Sequence, residues 1–139
     1  MGILFVIPLT VIPLIAYTVV GFIFGQDVWS TGLFELTMIS GQSWPFTLGD
    51  LMIVGGLICL FFEVLRSTSS SQRTIVNHTI STIILIVYLI EFLLVGIAAN
   101  SVFFILMVMS LFDVIAGFSI TIKTASRDLN LGRTLDAPQ

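Results

Sequence analysis

Residues 75–98 read IVNHTISTIILIVYLIEFLLVGIA, residues 99–101 read ANS, and residues 102–122 read VFFILMVMSLFDVIAGFSITI. A helix crossing a hydrocarbon core of about 30 Å needs about 20 mainly apolar residues, and each of the two long runs supplies them. Three residues between them leave room only for a tight reversal. The two runs therefore predict antiparallel helices that are direct neighbours.

Working outward, two further runs qualify as spans, from about Ile3 to Gly25 and from Leu48 to Leu65. Polypeptide outside the four is scarce: an outer connection over 26–47, a serine-rich loop over 66–74 and a polar tail over 123–139. Composition agrees. Of 139 residues, 57% are hydrophobic and 9% charged, with mean hydropathy +1.14, whereas an ordinary soluble domain is roughly 25% charged. So few charges cannot clothe a small domain in water. The expectation is a single all-α transmembrane domain, an integral membrane four-helix bundle with the lipid bilayer as its solvent.

All five basic residues fall in two places, Arg66 and Arg73 around the serine-rich loop and Lys123, Arg127 and Arg133 after the last span. Basic residues accumulate on the cytoplasmic side, and an even number of spans puts both places on one side. The prediction is N-in and C-in. The first run reads as a span, not as a signal peptide: Met1-Gly2 brings no positive charge, the apolar stretch is too long, and no small-residue cleavage site follows Gly25. Its prolines, in Ile7-Pro8-Leu9 and Ile12-Pro13-Leu14, predict a bend whose freed carbonyls neighbouring helices satisfy.

Net charge −3 and a sequence pI of about 4.7 argue against nucleic acid, which demands clustered Lys and Arg. One Cys and one His exclude a disulfide framework, a cysteine-rich metal site and a bis-histidine haem within the chain. No cofactor or metal is expected. The chain also lacks a glycine-rich phosphate loop, a nucleophile elbow and a paired-cysteine redox motif.

Charge at the centre of a helix in lipid costs about 2.5 to 3.5 kcal/mol on insertion scales, so an intramembrane carboxyl is a functional candidate by default. At 1.5 Å per residue, Glu91 and Asp113 lie about 24 Å and about 15 Å from the cytoplasmic edge, with Glu63 nearer it. Thr47 and Asp50 stand where caps of the second helix belong. Helical geometry puts Asn77, Ser81, Tyr88 and Glu91 on one stripe, Ser110, Asp113, Gly117, Thr121 and Thr124 on another, and Gly56, Cys59, Glu63 and Ser67 on a third. Turned inward, the stripes face one another and avoid lipid. Glu63, Tyr88, Glu91, Ser110 and Asp113 are thus candidates for interhelix contacts or, alternatively, for a proton or cation path. Steps of about 10 Å along such a path exceed hydrogen-bond reach.

Arg66, His78, Lys123 and Arg127 are expected at the cytoplasmic edge, with Glu63 and Arg66 as an interfacial ion pair. His78 lacks the additional ligands zinc requires. The outer connection holds Trp29 and Trp44 with Leu33, Phe34, Leu36, Met38 and Ile39 between them. It reads as a segment on the membrane surface or folded back over the helices, with tryptophans at headgroup level, or as a docking surface centred on Trp29, Phe34 and Trp44. Phe34, Leu36 and Met38 alternate with Glu35 and Thr37 as in a strand, over a stretch too short to assign as one.

The run Ser101-Val102-Phe103-Phe104 with Met107-Val108-Met109, then Asp113-Val114-Ile115-Ala116-Gly117-Phe118 and Ala125-Ser126-Arg127-Asp128, resembles a group of small four-span, proteobacterial-type inner-membrane proteins. So do Phe46-Thr47-Leu48-Gly49-Asp50 and Ile90-Glu91-Phe92-Leu93-Leu94-Val95. The resemblance covers nearly the whole chain, most firmly from Phe46 to Asp128. It implies four spans in a bacterial inner membrane and brings no activity with it. Small multidrug transporters fit less well, since their essential Glu lies in the first helix, where this chain has no charge. The expected function is that of a non-enzymatic accessory or assembly subunit of a larger membrane complex, or a homo-oligomer. The alternative is a small ion or proton channel or a proton-coupled transporter.

Overall fold

A computed structural model describes residues 7–68 and 74–135, with Thr74, Ile75 and Thr124 described by their backbone alone. The serine run with Arg73 and the chain end at Pro138 lie outside the described residues. Four α-helices account for most of the chain: α1 Val11–Phe24, α2 Leu48–Ser67, α3 Thr74–Leu94 and α4 Ser101–Leu135. Three of them, α2, α3 and α4, are long and apolar enough to cross a membrane. The α4 helix packs against both α2 and α3, and α1 lies chiefly against α2.

The first expected span, 3–25, is only partly helical. The α1 helix has 14 residues, about 21 Å of rise, and is preceded by a turn in which the amides of Val11 and Ile12 donate to the carbonyls of Pro8 and Leu9 at 3.2 and 3.0 Å. Proline explains the late start. Pro8 precedes the helix, and Pro13 stands in its first turn, where a missing N–H breaks no intrahelical bond.

The expectation of an all-α chain is corrected in the outer connection. Residues Gly32–Thr37 form β1 and Ser43–Thr47 form β2, an antiparallel pair with Phe34 opposite Phe46 and Leu36 opposite Trp44. The alternation over Phe34 to Met38 is thus a true strand, and it needed a partner strand to be recognised as one. Gly41 supplies the left-handed turn, at φ +81°, and the amide of Met38 donates to the carbonyl of Gln42 at 2.8 Å. The base of the hairpin is closed by the Leu48 amide, 2.9 Å from the Thr31 carbonyl.

The second strand runs straight into α2 through a capping box. The Thr47 hydroxyl accepts the Asp50 amide at 3.1 Å while the Asp50 carboxylate accepts the Thr47 amide at 2.8 Å, satisfying two end groups that the helix leaves open. Two other boundaries move. The α3 helix stops at Leu94 instead of Ala98, and Gly96–Ala98 form a 3₁₀ turn, which turns the Ile97 carbonyl toward side-chain donors. The α4 helix continues to Leu135, through Gly132, beyond the Ile122 end of its expected span.

Aromatic rings and close helix crossings build the interior. Tyr17 stacks on Trp29 with centroids 4.4 Å apart and meets Phe103 edge-on at 4.9 Å; Tyr88 lies on the other side of Phe103 at 5.4 Å. Leu14, Ile84, Leu106 and Met109 complete this core. A Cβ on Gly56 would come within 2.6 Å of Leu106 and 3.1 Å of Met109, so glycine there allows α2 and α4 their close approach.

Candidate functional site

The polar stripes do turn inward: Glu63, Ser81, Tyr88, Ser110 and Asp113 are all buried. What they meet is backbone. The segment Ile7–Thr10 lies ahead of α1 without helical bonding of its own, and side chains from three other helices supply its partners. Glu63 of α2 accepts the Leu9 amide at 2.8 Å. Arg66, one turn on, donates to the Ile7 carbonyl at 2.9 Å and pairs with Glu63 at 2.8 Å. Tyr88 of α3 donates to the Thr10 carbonyl at 3.1 Å. The Thr10 hydroxyl, in turn, donates to Asp113 of α4 at 3.3 Å, and Ser81 of α3 faces the same carboxyl. Buried main-chain groups must find partners, and this segment finds them in side chains.

The arrangement changes two expectations. Glu63 and Arg66 form the expected ion pair, with Glu63 1% and Arg66 23% exposed, so the carboxylate end of the pair is buried in the bundle. Glu63 and Asp113, expected as separate stations, share one layer because they grip adjacent residues of the first segment.

Glu91 stands apart. Its Oε1 lies 2.5 Å from the Thr18 hydroxyl, eight residues along α1 from Thr10 and thus about 12 Å away. Between Glu91 and the outer hairpin runs a second polar group. Tyr17 donates to the Ile97 carbonyl at 2.7 Å, Asn100 donates to the Tyr17 hydroxyl and to the same carbonyl, and Asn100 Oδ1 accepts the Phe103 amide at 3.1 Å. Asn100 is therefore both the cap of α4 and the tie between that cap and α1.

His78 is buried, stacked on Phe118 at 5.8 Å, and set so tightly on Gly117 that a Cβ there has no room. It is buried within the bundle, where its ring takes the space that glycine leaves on α4. Its Nε2 and the Ser110 hydroxyl are buried without a hydrogen-bond partner among the described residues. Lys123 and Arg127 are exposed on the extension of α4 and take no part in the cluster. Trp29 is 4% exposed and stacked on Tyr17, which corrects its expected place on a docking surface: this end of the connection is folded back over the helices. Phe34 and Trp44 remain on the exposed hairpin.

Four functional positions carried no weight in the sequence reading: Thr10, Tyr17, Thr18 and Asn100. A signal existed. Thr10, Tyr17 and Thr18 are spaced i, i+7 and i+8, one face of a helix, and they bear the hydroxyls of an otherwise apolar segment. Among the described residues, no group of three or more His, Cys, Asp or Glu side chains is placed to hold a metal ion. No family model, curated protein or solved structure matches the chain.

Proposed function

We propose that the chain is a non-enzymatic membrane protein of four spans, with both termini cytoplasmic in a bacterial inner membrane. It acts as an accessory or assembly subunit of a larger membrane complex or as a homo-oligomer. One observation carries the reading: Glu63, Glu91 and Asp113 each bond to the first segment of the same chain. Carboxyls used as internal fastenings hold a bundle in one shape, which suits a scaffold. The helices also present exposed apolar side chains, and a groove of about 220 Å³ between α1 and α2 is lined by Pro13, Ala16, Leu51, Met52, Gly55 and Cys59.

Native mass analysis of the protein extracted in mild detergent tests this reading. A stoichiometric assembly well above the 15.2 kDa of one chain is expected. A lone monomer across several mild detergents refutes it.

The alternative, proton or cation transport through the same carboxyls, is supported by a different feature. Non-helical backbone ringed by polar side chains forms part of the substrate sites of many transporters, and Ile7–Thr10 is such a stretch ahead of α1. Transport predicts a flux into proteoliposomes that Asp113→Asn abolishes. No flux from the unmodified protein removes this alternative.

A further inference from the structure

The β1–β2 hairpin has two unlike faces. Alternate residues of a strand share a side, so the observed register gathers Phe34, Leu36, Trp44 and Phe46 on one of them. Phe34 stacks on Phe46 at 4.8 Å and Trp44 meets Phe46 edge-on at 5.6 Å. On the other side stand Glu35, Thr37, Ser43 and Pro45, where the Ser43 hydroxyl donates to the Glu35 carboxylate. The aromatic side is open: Phe34 is 52%, Leu36 46% and Trp44 43% exposed, and at the tip Ile39 is fully exposed. An isolated two-stranded hairpin is marginal in water, and a contiguous apolar face of this kind marks a contact surface.

Three observations say what covers it. First, β2 passes into α2 at Thr47 and Leu48 with no linker, and the capping box and the Leu48 to Thr31 bond fix that junction. Five residues of strand reach at most about 17 Å from the end of a membrane-length helix, so the hairpin never leaves the neighbourhood of the bilayer surface. Second, α2, into which the hairpin runs, also exposes apolar side chains on its early turns, at Leu51 and Val54. Third, residues 26–47 contain no basic residue, and their two acids, Asp27 and Glu35, are not on the aromatic face. That face therefore offers a partner apolar area and ring edges but no charge.

We propose that the aromatic face of the hairpin beds into the headgroup and acyl boundary of the outer leaflet, with Trp44 at headgroup level and Ile39 inserted beside it. The occupant is the lipid surface itself, held through the glycerol and upper acyl region. Tryptophan favours that zone because its ring is apolar while its N–H remains polar. Lacking basic residues, the contact is independent of anionic lipid and of salt, unlike polybasic membrane contacts. The inference goes beyond the subunit reading and rests on the proposed topology, in which α2 lies in the membrane with its first turn at the outer face.

The chain has two tryptophans, so Trp29→Phe leaves Trp44 as the single reporter. The full-length variant is placed in phosphatidylcholine nanodiscs, where both faces are open to solution. Phosphatidylcholine brominated near the carbonyl end of its chains is expected to quench Trp44 emission several-fold, while acrylamide quenches it weakly. Exchange of half the lipid for phosphatidylglycerol, or 0.5 M salt, leaves both results unchanged. Strong acrylamide quenching without bromolipid quenching overturns the proposal in favour of a water-exposed hairpin. Quenching by neither overturns it in favour of a protein covering, a second copy included. If Trp29→Phe does not fold, Ile39→Cys in a Cys59→Ser background carries a nitroxide label. Higher accessibility to oxygen than to a water-soluble nickel chelate is then expected, and the reverse refutes the proposal.

Discussion

The decisive perturbation is at Glu63. Its carboxylate makes two contacts at 2.8 Å, to the Leu9 amide and to Arg66, and it is 1% exposed. Glu63→Ala leaves the Leu9 amide without its acceptor and removes the ion-pair partner of Arg66, which is 23% exposed and keeps the Ile7 carbonyl. Removing one member of a buried ion pair costs about 3 to 5 kcal/mol. Hydrogen bonds between helices in a bilayer, by contrast, average about 0.6 kcal/mol and reach at most about 1.7, because the unfolded chain in lipid finds other partners. Thr18→Val, which removes the Glu91 contact, belongs to that second class. The Leu9 amide is a different kind of partner: it is main chain in a turn that has no helical alternative. Glu63→Ala should therefore exceed Thr18→Val by about 2 kcal/mol or more, taking the difference between those two ranges. Glu63→Gln should fall between them, since its amide oxygen still accepts one bond and only the charge is lost. Steric trapping in bicelles, with biotin tags on α1 and α4, measures each unfolding free energy. Equal costs for Glu63→Ala and Thr18→Val would refute the claim that Glu63 is the principal clamp on the first segment.

Gly117→Val forces the His78 ring out of its place and should destabilise by about 1 to 3 kcal/mol, as overpacking does; Gly55→Val, with open space at its Cβ, should be nearly neutral in the same assay. Tyr17→Phe and Asn100→Ala remove members of one hydrogen-bonded group, so a double-mutant cycle should show coupling of about 0.5 kcal/mol or more, and additive losses would refute the connection. Thr47→Ala should cost about 0.5 to 2 kcal/mol through loss of the α2 cap, read as a lowered midpoint of thermal unfolding. A reporter that works only in the cytoplasm, fused after Arg133, should be active; one active only outside that compartment would overturn the assigned orientation.

Sequence pattern made the helical class, the inward polar stripes and the Thr47–Asp50 cap readable, because each depends on residues close together in the chain. The close approach at Gly56 was readable for the same reason, as a small residue on a polar stripe. Less readable were features that depend on what lies opposite. Trp29 and Trp44 have similar chain neighbourhoods, yet one is stacked on Tyr17 and the other is exposed; no local signal separates them. The strand over Gly32–Thr37 became definite only through Ser43–Thr47, which Pro45 disguises as loop. Glu63 and Asp113 were placed at different depths by counting residues from helix ends. Counting along single helices misses a partner segment that reaches both.

That partner segment explains why the chain spends its few polar side chains where it does. About 21 Å of helix in α1 falls short of the roughly 30 Å of a hydrocarbon core. Non-helical backbone is tolerated at such depth only where protein satisfies it. Within Ile7–Thr10, Pro8 has no amide hydrogen, the carbonyls of Pro8 and Leu9 are taken by the turn into α1, and the Ile7 carbonyl, the Leu9 amide and the Thr10 carbonyl are met by side chains. Arg66, Glu63 and Tyr88 meet those three groups, one each. Asp113 then receives the hydroxyl of Thr10 and so brings α4 into the same joint. Arg66, Glu63 and Tyr88 thus each bond to main chain in the turn ahead of α1. It follows that α1 depends on α2, α3 and α4 for its seat more than they depend on it. Loss of the clamp should loosen the first segment from a bundle of three helices that otherwise remains packed around Phe103 and Leu106.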